Sequence, residues 1–98
     1  MIVEIQCLPS PLGTSERRYA HVDAAIEVVR SSGLHYEVGP LGTSIQGEPD
    51  ELWPLIRLVH ESCLAAGANS LVSVIKVEQT ANRADQPTMG DLVDPWRS

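Results

Sequence analysis

The chain has 98 residues, a hydrophobic content of 43% and a formal net charge of -6. That length supports one domain with one modest core, and two Trp, two Tyr and no Phe make the core aliphatic. The acidic balance argues against a nucleic-acid backbone or an anionic membrane surface as partner, and no apolar run approaches the roughly 20 residues of a membrane span.

Ile2 to Leu8 reads as a first strand, with Val3, Ile5 and Cys7 on one face and Glu4 and Gln6 on the other. Glu4 breaks the apolar run and no basic stretch precedes it, so no signal peptide is read here and the expected compartment is the cytoplasm. Pro9, Pro11 and Gly13 end the strand. Thr14 or Ser15 is placed to cap a helix in which Tyr19, Val22, Ile26 and Val29 form an apolar stripe. Ser31, Ser32 and Gly33 stop it, with Gly33 suited to a left-handed cap.

Leu34 to Val38 alternates apolar and polar residues, and Thr43 to Gln46 alternates again. Between them Gly39, Pro40 and Gly42 supply turn chemistry, which predicts a hairpin. Glu48-Pro49-Asp50-Glu51 opens a second helix, where acidic side chains favour the positive end of the dipole. Its stripe is Leu52, Ile56, Val59, Cys63 and Ala66, and Gly67 closes it. Ser70 to Glu78 is the last strand, with Leu71, Ile75 and Val77 on the core face. Residues 80–98 show no periodicity and are interrupted by Pro87, Gly90 and Pro95. They read as a mobile C-terminal tail whose end Leu92, Val93 and Trp96 can pin to a surface. Pro-Leu-Gly-Thr occurs at Pro11 to Thr14 and again at Pro40 to Thr43, which is shared turn chemistry and not a duplicated site.

The order β-α-β-β-α-β is the ferredoxin-like split-βαβ pattern of the α+β class. It predicts a four-stranded antiparallel sheet in the order 4-1-3-2 over residues 1–79, with two helices on one face. By parity, the other face carries Glu4, Gln6, His35, Glu37, Ser44, Gln46 and Lys76, bordered by Val72 and Val74. A solvated or purely structural face accounts for these residues without any function; a small polar ligand, or a second subunit laid sheet against sheet, is the alternative.

Other chemistry is set aside. Arg17 and Arg18, after Gly13-Thr14-Ser15, suggest phosphate binding of the acylphosphatase kind, but the loop lacks a glycine for a phosphate cradle. His21, His35 and His60 read as surface or edge histidines, with no metal-ligand spacing. Cys7 and Cys63 read as buried reduced thiols. No catalytic residue, metal or cofactor is expected.

Residues 1–79 resemble the small thiamine-binding proteins of the YkoF-like, UPF0045 type. The resemblance rests on Ile2-Val3-Glu4-Ile5, Pro11-Leu12-Gly13-Thr14, the run Tyr36 to Thr43, Gly47-Glu48, and Val74-Ile75-Lys76-Val77. It implies a ferredoxin-like fold, dimers or tetramers joined through sheet faces, and binding of thiamine or its hydroxymethylpyrimidine part without catalysis. Thiamine combines a permanent thiazolium charge with an aminopyrimidine that donates and accepts hydrogen bonds. Glu4 or Glu37 would offset the charge, and Gln6, Thr43, Ser44 and Gln46 would read the pyrimidine edge. Two departures stand out. The family usually has Glu where this chain has Gln46, and basic residues where it has Gln79-Thr80-Ala81. The alternatives are a structural or regulatory homo-oligomer with no small ligand, or an acylphosphatase-like hydrolase.

Overall fold

A computed structural model describes residues 1–97. The elements are β1 (Ile2–Ser10), α1 (Ala20–Ser31), β2 (His35–Val38), β3 (Thr43–Gln46), α2 (Pro49–Ala65), β4 (Ser70–Glu78) and a short α3 (Met89–Val93). The four strands form one antiparallel sheet in the order β2-β3-β1-β4, which is the ferredoxin-like arrangement expected from the pattern. Register follows parity: Val3 pairs with Ile45 and Val77, while Glu4 pairs with Ser44 and Lys76. The alternation therefore sends Val3, Ile5 and Ile45 to the helices and Glu4 and Ser44 away from them.

The core lies between the sheet and the two long helices. Val3, Ile45, Leu52 and Cys63 are wholly buried there, with Val29 and Val59 nearly so. Burying each large aliphatic side chain contributes about 1.5–3 kcal/mol, so this layer, not helix propensity, holds α1 and α2 in place. A capping box between Glu48 and Glu51 fixes the start of α2. Pro54 is its sixth residue, close enough to the start that only a first-turn carbonyl loses its partner. At the far end of α1, Gly33 takes φ +75°, the left-handed position that the sequence assigned to it.

Several expectations are corrected. β1 runs two residues past Leu8, through Pro9, because beyond Ile5 it has β4 alone as neighbour and an imide nitrogen costs no second ladder. α1 starts at Ala20, not near Thr14. Thr14 does accept a hydrogen bond from Arg17 N at 3.0 Å, as a cap would, but the turn ends there and Tyr19 stays outside the helix. The helix is consequently rotated: His21, Ala25 and Val29 are its buried residues, with Val22 and Ile26 half-buried. His21 is therefore no surface histidine; it is 3% exposed and its Nδ1 lies 2.7 Å from the Pro11 carbonyl. Ile75 and Val77 share the helix face but remain about 40% exposed, since β4 is the outermost strand.

Residues 83–96 carry two single 3-10 turns and α3, whose Thr88–Asp91 capping box is complete. Among the residues named for pinning this segment, Trp96 is 88% exposed and Leu92 53%, while Val93 is half-buried. Met89, 5% exposed, is the one that buries. Gln86 and Thr80 both donate to the Glu78 carboxylate, which holds that carboxyl below its usual range.

Candidate functional site

The register sets the polar residues of the free face in order. Lys76, Glu4, Ser44 and Glu37 form one row across all four strands, and His35 faces Gln46 in the next row. The row is already charge-compensated. Lys76 Nζ sits 3.6 Å from Glu4 Oε1, and Arg97, arriving from the C-terminal segment, pairs with Glu37. Gln46 is committed as well, since its Oε1 accepts the Met89 backbone N–H at 2.6 Å. The segment after β4 thus lies over the β2–β3 end of the face. A cation binding there must displace Lys76 or Arg97 from a carboxylate. These exposed pairs are individually weak, but they remove the net negative charge that the sequence suggested.

Of the six residues singled out from sequence, Glu4, Glu37, Ser44 and Gln46 lie together on this face. Thr43 does not. It pairs with Ile5 and Val38, is 6% exposed, and belongs to the helix side of the sheet. There it lines a cavity of about 150 Å³; Gln6, which the register places on the free face opposite Val74, borders the same cavity at the unpaired edge of β1.

That cavity is built from local rules. β3 pairs with β1 only as far as Thr43↔Ile5, and the chain then turns through Gly39-Pro40-Leu41-Gly42, closed by Gly39 N donating to Gly42 O at 2.8 Å. β1 continues without a neighbour on that side, which leaves a gap between its second half and the turn. On the helix side, α1 presents Val22, Ala25 and Ile26, and the small Ala25 leaves the space unfilled. Ile5, Cys7 and Val59 complete the apolar wall. Leu41, 78% exposed, stands at the mouth. Largely apolar walls, with Thr43 and Gln6 as the polar residues, suit a flat, uncharged ring with a polar edge.

Sequence reading did not single out Ala25, Val29 and Val59, which line this cavity, because nothing in an apolar side chain announces one. The available signal was indirect: a small residue on a helix facing a Gly-Pro-Leu-Gly turn. A wider cleft of about 510 Å³ lies between the start of α2 and residues 79–86, but Glu48 and Asp50 line it and Arg83 is paired to Glu48. Among the described residues no cluster of His, Cys, Asp and Glu could hold a metal ion, and no helix is long and apolar enough to cross a membrane.

Known proteins are similar to this chain in sequence and in fold. A family model described as "Thiamine-binding protein" matches residues 3–95, so the match takes in the segment after β4. A UPF0045 protein of Clostridium perfringens is 36% identical over 95 residues, covering 97% of this chain and 95% of that protein. A Bacillus cereus domain of unknown function superposes with a TM-score of 0.79 at 31% identity, covering 99% of this chain and 91% of that one. A Thermotoga maritima protein, provisionally assigned to thiamine biosynthesis or salvage, gives a TM-score of 0.76 at 25% identity, covering 99% and 100%.

Proposed function

The chain belongs to the thiamine-binding protein family, and from that premise we propose that it binds thiamine or a related hydroxymethylpyrimidine without catalysing a reaction on it. The observation that carries this reading is the cavity of about 150 Å³ behind the Gly39–Thr43 turn. An apolar cavity of that size holds a single six-membered ring, and a drug-sized ligand ordinarily needs about 300 Å³ or more. The pyrimidine would enter and Thr43 would hydrogen-bond its edge, while the thiazolium stays at the mouth beside Leu41. The permanent charge then remains in water, so no buried carboxylate is required. On this reading no carboxylate is needed at position 46, since Gln46 lies on the other face and holds Met89.

Calorimetric titration with thiamine and with hydroxymethylpyrimidine tests this directly. Both should bind with affinities within about tenfold of each other, because the charged ring contributes little. Thr43→Val, which keeps the shape and removes the hydroxyl, should weaken both by about five- to tenfold, the effect of one hydrogen bond. Absence of heat for either ligand, with both remaining unbound in equilibrium dialysis, would remove the reading.

The free face supports a further part of the proposal, a homo-oligomer. Leu8, Val72 and Val74 are 44%, 63% and 46% exposed beside the charged row, a poor surface to leave in water. A second copy laid against this face would cover them. Light scattering at micromolar concentration should report a dimer or larger, and a monomer at that concentration contradicts the pairing.

A further inference from the structure

Cys7 and Cys63 meet under α2 at the edge of the cavity, where the ligand reading uses Cys7 only as apolar wall. Cys7 and Ser73 are cross-strand partners on β1 and β4, both on the helix side of the sheet. His60 and Cys63 lie three residues apart on α2, so one face of the helix presents both to that pair. Ser73 Oγ donates to Cys7 Sγ at 3.6 Å, and His60 Nδ1 lies 2.6 Å from Ser73 Oγ. Ser73 Oγ thus bridges the His60 imidazole and the Cys7 sulfur. These contacts run from α2 through Ser73 to Cys7 and fix the position of its sulfur beside the helix. Cys63 stands within hydrogen-bond reach of Cys7, and both are free thiols.

The two sulfurs differ in access. Cys7 is half-buried and forms part of the cavity wall, whereas Cys63 is wholly buried. Burial pushes the Cys63 thiol up to about 12, with Cys7 beside it adding to the effect, so it rests protonated.

We propose that Cys7 and Cys63 are a redox-active dithiol, with Cys7 the attacking sulfur, Cys63 the resolving one, and His60 and Ser73 positioning residues that hold Cys7 ready. The oxidant is a low-molecular-weight disulfide entering through the cavity. The Cys7 thiolate attacks one sulfur of the reagent, whose S–S bond breaks; one thiolate leaves and is protonated by solvent. Cys63 sulfur then attacks Cys7 Sγ, the mixed disulfide breaks, and the Cys63 proton goes to the second departing thiolate. The protein gives up two electrons and two protons, the reagent becomes two thiols, and β1 is tied covalently to α2.

The test uses the folded full chain and bis(2-hydroxyethyl) disulfide, and reads mass and thiol content, not ligand binding. The wild type should lose both free thiols and the mass of two hydrogens, with no reagent retained and one peptide linking Cys7 to Cys63. Cys63→Ser should stop at a single hydroxyethylthio adduct on Cys7. In that background, Ser73→Ala and His60→Ala should slow adduct formation about tenfold with the thermal midpoint unchanged, and Ser73→Thr should restore the rate. A wild-type protein that keeps both thiols under conditions that oxidise the urea-unfolded chain overturns the proposal. So does a stable adduct on Cys7 with the Cys63 thiol intact, and so does an unchanged rate in both positioning variants.

Discussion

Gly13→Ala should destabilise the chain by about 2–4 kcal/mol, a large effect for the addition of one methyl group. A Cβ at this position would lie 2.3 Å from the Arg17 carbonyl oxygen and 2.5 Å from both the Arg18 carbonyl oxygen and the Ala20 nitrogen. All three are backbone atoms, so no side-chain rotation relieves the contact. The loop from Leu12 to His21 would have to open, at the expense of Thr14 N and Ala20 N donating to Arg17 O, and His21 N donating to Leu12 O. Gly13 is thus required for close approach and not for a special φ. Urea unfolding should show a lower midpoint at unchanged slope. A loss below about 0.5 kcal/mol, the ordinary surface range, would show that the loop tolerates the methyl group and that its packing has been misjudged.

The second large effect concerns ligand affinity. Ala25→Leu, at a residue 4% exposed on the cavity wall, should reduce affinity for hydroxymethylpyrimidine by more than about 100-fold. The added carbons occupy the space that the ring needs. Because they fill a void and do not overpack a close-packed site, stability should change by no more than about 1.5 kcal/mol. Calorimetry gives the affinity, and urea unfolding checks that the fold survives. Undiminished binding in a folded Ala25→Leu protein would place the ligand elsewhere, with the charged row of the free face the first place to look.

Much of this architecture was legible because it rests on local rules. Strand parity placed Glu4, Gln6, Glu37, Ser44 and Gln46 away from Val3, Ile5 and Ile45 without any knowledge of the fold, and Gly33 marked the end of α1 correctly. The start of α1 was misread for an instructive reason. Thr14 performs the hydrogen bonding of a helix cap, but a cap licenses one turn and cannot ensure that the next one follows. Thr43 was grouped with Ser44 and Gln46 by chemistry, although alternation puts it with Ile45. That the end of the segment after β4 could be pinned was legible from Leu92, Val93 and Trp96, but the contacts that hold it were not. The anchoring depends on Met89 and Arg97 reaching Gln46 and Glu37 over separations of 43 and 60 residues, and no periodicity records such contacts. Nor could sequence show that the carboxylates of the free face are already paired, which shifts the balance of argument from that face to the cavity.

Those two faces can be distinguished in a single experiment. Methyl-resolved NMR during titration with hydroxymethylpyrimidine reads Val22, Ile26 and Val38 on the cavity side, and Leu8, Val72 and Val74 on the free face. The account predicts saturable shifts of the cavity methyls with the free-face methyls unmoved. Shifts confined to Leu8, Val72 and Val74 would contradict it.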